Sequence, residues 1–275
     1  MANPVLSRPD AFTHDRAPQA YPQQYGYGPQ GPYQQPYGPQ GQPGVPGPVQ
    51  PTGLMTIDDV ITKSALTIGA LILVAVATAL FLPPLLMLPA VVVCGIAAFV
   101  VPLLVAVRRT IGPVLAFTFA AVEGVLVGAM SMVFESYYPG IVVQAVMGTF
   151  VAAGVTLVAF KFGGFRLSNT WRRVLMLSMI GVVIASLLSL VLSLAGINLG
   201  LYAGVTGEVG ALAWFFAGAG AVLAVFSLVD DFQYIEEGIR AGAPAKESWR
   251  AAFGLTVTMV WLYTNVLRLL SYLRR

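Results

Sequence analysis

Three carboxylates, one amide and one guanidinium stand in stretches otherwise built from Leu, Val, Ala and Gly: Glu123, Asp230, Asp231, Asn265 and Arg268. A charge in such surroundings is costly unless it has a partner or a wet cavity, so these residues are the first candidates for an ion pathway and its gate. Each also has a plainer reading. Glu123 would make a structural hydrogen bond, Asp230 and Asp231 would be solvated acids at a helix end, and Arg268 would snorkel to an interface. The rest of the inventory excludes chemistry. The single histidine, His14, lies in a proline-rich tail, and the single cysteine, Cys94, lies in an apolar run. A Ser-His-Asp or Cys-His constellation cannot form in the apolar region. There is no ligand cluster for zinc and no disulfide within one chain. The chain is therefore expected not to be an enzyme and to carry no resident cofactor. Its scattered basic residues make no nucleic-acid patch.

The elements that hold these residues follow from composition. Hydrophobic residues are 57% of the 275 and charged residues 10%, against roughly 45–50% and about 25% in soluble domains. The solvent for most of the chain is lipid. Residues 1–53 differ: they hold 12 of the 19 prolines, and Tyr-Gly-Pro-Gln-Gly occurs at 27–31 and again at 37–41. This segment has nothing to bury and is expected to be a disordered tail. It lacks the basic start and apolar core of a signal peptide.

From residue 54 onward the pattern predicts an all-α membrane domain, 54–275. Met55–Ser64 reads as an amphipathic lead-in with Thr56 as a helix cap and Asp58 and Asp59 in its first turn. Seven apolar stretches follow, at 65–82, 85–107, 112–134, 141–162, 174–197, 209–230 and 251–273. Most approach the ~20 residues that cross ~30 Å of hydrocarbon. Pro83-Pro84 makes the first two a tight hairpin. With the N-terminus inside, twelve Lys and Arg fall on the inner side and Arg268, Arg274 and Arg275 on the outer, which favours a cytoplasmic N-terminus and seven crossings. A re-entrant last segment would draw the basic C-terminus back inside.

Spacing orients the polar groups. Ala116, Ala120, Gly124 and Gly128 recur every four residues beside Glu123, a small-residue face for close helix approach. Asp231 shares a face with Ala217, Gly220, Ala221 and Ala224 and is expected to point into the bundle, while Asp230 lies about 100° further round and reaches the interface. Gly254, Thr258, Trp261, Asn265 and Arg268 share one face of the last helix. That stripe implies a helix surrounded by protein.

Taken together, Glu123-Gly124 in the third helix, Asp231-Phe232-Gln233 with Ile235 and Glu237 at the end of the sixth, and Asn265-Val266-Leu267-Arg268 in the seventh resemble the Bax inhibitor family of seven-helix membrane proteins. The resemblance covers 54–275 and points to a bacterial, actinobacterial branch. It implies six helices around a central seventh, and a pH-sensitive calcium leak gated by an aspartate pair on the sixth and seventh helices. Asp231 matches the first aspartate, which makes it a weak Ca²⁺ site in what the resemblance implies. The second position, three residues before Asn265, is Leu262, and the connection between these helices is longer, through Gly242, Ala243 and Pro244. Asp230, or more distantly Glu123, is the remaining source of a second carboxylate.

The function expected is a passive cation leak or ion-homeostasis protein of the bacterial inner membrane, with the lipid bilayer and ions as partners. The alternative is a non-conducting regulator that binds another membrane protein, such as a quality-control protease. No Gly-x-Gly-Asp motif suggests an intramembrane aspartyl protease, and no Lys in the seventh helix would hold a retinal.

Overall fold

The computed structural model describes residues 53–107, 111–196, 200 and 208–275. The tail expected over 1–53 lies outside the described residues, Gly53 apart, as do His14, Arg8, Arg16, Arg108 and Arg109.

Seven helices make up the described chain: α1 Ile57–Phe81, α2 Pro84–Val107, α3 Pro113–Tyr137, α4 Ile141–Gly163, α5 Asn169–Leu194, α6 Ala211–Arg240 and α7 Glu247–Leu273. All are long and apolar enough to cross a membrane. The shortest, α4, has 23 residues, about 34 Å at 1.5 Å per residue. Their ends have local causes. Thr56 caps α1 by accepting the Asp59 amide at 3.2 Å, and Asp58 and Asp59 complement the helix dipole. Pro83 disfavours helical backbone at Leu82, so α1 stops there. Pro84 and Pro113 occupy first helical positions, where the missing N–H costs nothing. Gly140 and Gly164 bracket α4 at φ 82° and 62°, the left-handed region that glycine enters without strain.

Four helices extend by four residues or more beyond the apolar stretches read from the sequence. α1 begins at Ile57, so the lead-in and the first crossing are one helix. α5 begins at Asn169 and α7 at Glu247, while α6 continues past residue 230 to Arg240. An apolar run marks what lipid can cover, whereas a helix continues as long as its polar turns find partners, and these do.

The seventh helix is central. It packs directly against α1, α3, α4 and α6, while α2 joins the bundle through α3 and α5 through α6. Leu262 and Leu267 on α7 are fully buried. The first half of α7, Ala251 and Phe253, packs on separate clusters formed with α1 and with α2–α3.

The two ends of the bundle are distinct. At one, residues 53–55 run alongside the α6–α7 connection: Met55 N–H donates to Ala243 O at 2.8 Å and Ala245 N–H to Gly53 O at 2.7 Å. The Lys63 ammonium adds a bond to Ala245 O at 3.0 Å. At the other end Glu135 accepts the Gly140 and Val142 amides at the start of α4, and Arg274 donates to Pro139 O at 2.9 Å. Because α7 starts at the first end and is docked at the second, it runs the whole length of the bundle as one helix.

Candidate functional site

The α6 stripe and the α7 stripe face one another. Gly220 on α6 has no side chain, and the Asn265 amide fills that space: a Cβ at residue 220 would collide with Asn265 Oδ1. The amide is held from its own helix by Nδ2 donating to Trp261 O at 2.8 Å. One stretch along the seam the arrangement is reversed. Gly254 on α7 leaves room for the Asp231 carboxyl of α6, whose Oδ1 lies 3.4 Å from where a Gly254 Cβ would stand. The Thr258 hydroxyl hydrogen-bonds the same carboxyl. The other oxygen, Asp231 Oδ2, is enclosed and has no hydrogen-bond partner among the described residues. A buried polar atom left unmatched is costly and marks a place where a proton, a water or a cation would be held.

Asp231 and Asn265 are not partners. Residues 220 and 231 are eleven positions apart on α6, about 16 Å of helix rise. Leu262, where the resemblance would place a second aspartate, is 1% exposed and packs with Ala224 and Leu228. Asp230 turns away from the seam. Its Oδ1 is 2.7 Å from Arg172 Nε of α5, and Arg172 also binds Glu237 at 3.0 Å. The neighbouring acid Glu236 pairs with Arg166 and Arg240. Gln233 is buried and clamps the α4–α5 connection, accepting the Leu167 amide at 2.7 Å and donating to Leu167 O at 3.3 Å.

The end of α6 is thus a hub whose acids are paired rather than merely solvated. In the sequence Arg166 and Arg172 bear only on orientation, and these contacts do not show. A signal was available: Asp230, Gln233 and Glu237 are spaced by three and four, one helical stripe. The partners, some 65 residues away, carry no such mark.

Glu123 lies ten residues into α3, half-buried, and makes no hydrogen bond or ion pair among the described residues. Its neighbour Gly124 packs directly on α1, where a Cβ would stand 2.8 Å from Leu71 O. Glu123 is therefore carried beside a tight helix contact, and no contact joins it to Asp231. Arg268 is partly buried toward the far end of α7, where Ser271 Oγ donates to its carbonyl.

An apolar cavity of about 170 Å³ opens between α1 and α4, two helices that do not pack on each other. Ile72, Val76, Val146 and Phe150 form its lips. The hydroxyls in its wall are already engaged: Ser131 with Tyr263 at 2.7 Å, Thr149 with Ala145 O and Thr256 with Ala252 O. A cavity with its polar groups turned inward suits hydrocarbon, not ions. It includes none of Glu123, Asp231 and Asn265.

Among the described residues no three His, Cys, Asp or Glu side chains converge as a metal site. The oxygen donors at the Asp231 end of the seam are its carboxyl and the Thr258 hydroxyl, which fit only a weakly held hard cation.

A family model described as Bax inhibitor 1 like matches residues 3–275. The match takes in the proline-rich segment as well as the helices, further than the 54–275 carried by the short motifs. No curated protein matches the chain.

Proposed function

Because the chain belongs to the Bax inhibitor 1 like family and is a multi-pass membrane protein with seven apolar helices, we propose that it is a pH-sensitive cation leak with calcium as cargo. The observation that carries this reading is the Asp231 carboxyl: it sits inside the α6–α7 seam, with one enclosed oxygen that has no hydrogen-bond partner among the described residues. Protonation and cation binding compete for that oxygen, so the seam has two states that differ in charge, and pH biases their populations.

A single carboxylate is a weak calcium ligand. With Leu262 in the place of a second aspartate, Asp230 is the adjacent acid, and Arg172 holds it on α5. In this reading conduction requires Asp230 to leave Arg172 and join Asp231, so the α5–α6 ion pairs act as the latch. The charged group acting on Asp231 is Asp230 on its own helix; at the start of α7, Glu247 and Arg250 pair with each other at 3.0 Å. The protein itself supplies position and charge; no catalytic step and no resident cofactor are proposed.

We place the protein in the bacterial inner membrane with its N-terminus in the cytoplasm. Supporting this, among the described residues Lys63, Lys161, Arg166, Arg172, Arg173, Arg240, Lys246 and Arg250 lie at the end that carries the α6–α7 connection, against Arg268, Arg274 and Arg275 toward the other.

The test is calcium release from vesicles holding the full-length chain, measured across pH. Wild type should give pH-dependent release and Asp231→Asn a flattened response. Release equal to that of empty vesicles at every pH would overturn the reading. A non-conducting regulator is the second reading, and the loosely packed α2 and α5 favour it, because both present broad apolar faces to whatever lies beside them. Under that reading removal of residues 1–53 abolishes capture of a stoichiometric membrane partner; under the first it leaves flux intact.

A further inference from the structure

Eight basic side chains lie at the end of the bundle that carries the α6–α7 connection, and five of them are ion-paired: Lys63, Arg166, Arg172, Arg240 and Arg250. Lys161, Arg173 and Lys246 have no carboxylate partner among the described residues. Two of these three flank a single connection. Lys161 is in the last turn of α4 and Arg173 in the second turn of α5, on either side of Gly164–Ser168. Across α4, α5 and the facing end of α6 stand five cations (Lys161, Arg166, Arg172, Arg173, Arg240) and four acids (Asp230, Asp231, Glu236, Glu237); Asp231 is turned into the α6–α7 seam, and the other three acids pair with Arg166, Arg172 and Arg240, not with Lys161 or Arg173.

The same connection exposes large aromatic rings. Phe162 is 78% and Trp171 60% exposed. Phe165 and Trp171 both rest on Phe226 of α6, with ring centroids 6.2 and 6.4 Å away, the Trp171 pair stacked. Lys161 lies 5.5 Å over the Phe162 ring. Aromatic rings beside cations, at the ends of membrane-spanning helices, lie at the depth of the lipid headgroups. The α6–α7 connection differs: Lys246 has no carboxylate partner among the described residues, but the nearby Trp249 ring is covered by the Lys63 ammonium at 5.2 Å.

We propose that the α4–α5 end is a binding site for anionic phospholipid headgroups, with Lys161 and Arg173 as the charge partners and Phe162 and Trp171 seated in the headgroup layer. A bound phosphate would add to the hold that Arg172 and Gln233 already exert on this end of α6. α5 packs on no helix other than α6, so the site fastens the least secured part of the bundle.

Full-length protein in phosphatidylcholine vesicles, with a minor fraction of spin-labelled phosphatidylglycerol or spin-labelled phosphatidylcholine, tests this. The motionally restricted fraction should be larger for phosphatidylglycerol. Lys161→Gln with Arg173→Gln should remove most of that preference, at about fivefold per cation, and Lys161→Glu with Arg173→Glu should lower it further. Lys246→Gln removes one charge from the same end and should leave the preference intact. Equal restriction of the two lipids by wild type overturns the proposal, as does an equal loss in Lys246→Gln, which would reflect net charge alone. Competition by inorganic phosphate would reassign the site to free anions and overturn the lipid assignment.

Discussion

Two seams in this bundle use glycine to bring helices close, and they fill the space differently. Between α1 and α3 the close approach is backbone to backbone. A Cβ on Gly124 would meet Leu71 O and Val74 Cβ at 2.8 Å, and one on Gly128 would collide with Ala75 O and meet Thr78 Cβ at 2.9 Å. Between α6 and α7 the glycines make room for polar side chains: Gly220 for the Asn265 amide and Gly254 for the Asp231 carboxyl. The first seam fixes the bundle through van der Waals packing, as small-residue membrane contacts do. The second buries polar groups, an amide and a carboxyl, and the carboxyl can gain or lose a proton. A small-residue stripe in a membrane helix therefore does not by itself say whether a contact is structural or functional; what faces the stripe decides.

That contrast can be broken by substitution. Gly128→Ala should have the largest effect on stability, because its obstruction is a helix backbone that cannot step aside. Overpacking of this kind costs about 1–3 kcal/mol, seen as a lower unfolding temperature in detergent. Gly220→Ala should cost less, since its obstruction is the end of a side chain. Adding Asn265→Ala should recover part of the loss, and no recovery would mean that the second seam is as rigid as the first. Asp231→Asn should change stability little while flattening the pH response of calcium release. Gly254→Ala should be the mildest, within about 0.5 kcal/mol, because 3.4 Å to Asp231 Oδ1 is close to an ordinary contact. A loss there as large as in Gly128→Ala would erase the distinction between the seams.

Much of the architecture was legible because lipid imposes simple rules. Each crossing needs a long apolar run, and the seven runs became seven helices. The faces were legible too. Gly124 and Gly128 do meet another helix, and the Gly254, Thr258 and Asn265 stripe does face α6. What periodicity cannot give is register between helices. It placed Asp231 and Asn265 on mating faces, but the length of the 241–246 turn decides which residue stands opposite which, and it puts Thr258, not Asn265, at Asp231. Nor does the sequence show what Gln233 and Glu237 at the end of α6 hold, since their partners, Leu167 and Arg172, are far away in sequence.

The short pairing of Gly53–Met55 with Ala243–Ala245 has a mechanical consequence. Met55 is 3% exposed and wedged beside Gly238, so the chain entering α1 is fastened to the α6–α7 turn before it reaches the first helix. Tension on residues preceding Gly53, from a tethered partner or an attached fusion, is delivered first to that turn, the pivot on which α6 and α7 meet. The N-terminal segment is in this sense a handle on the seam that contains Asp231, and the load path to it runs through two backbone hydrogen bonds.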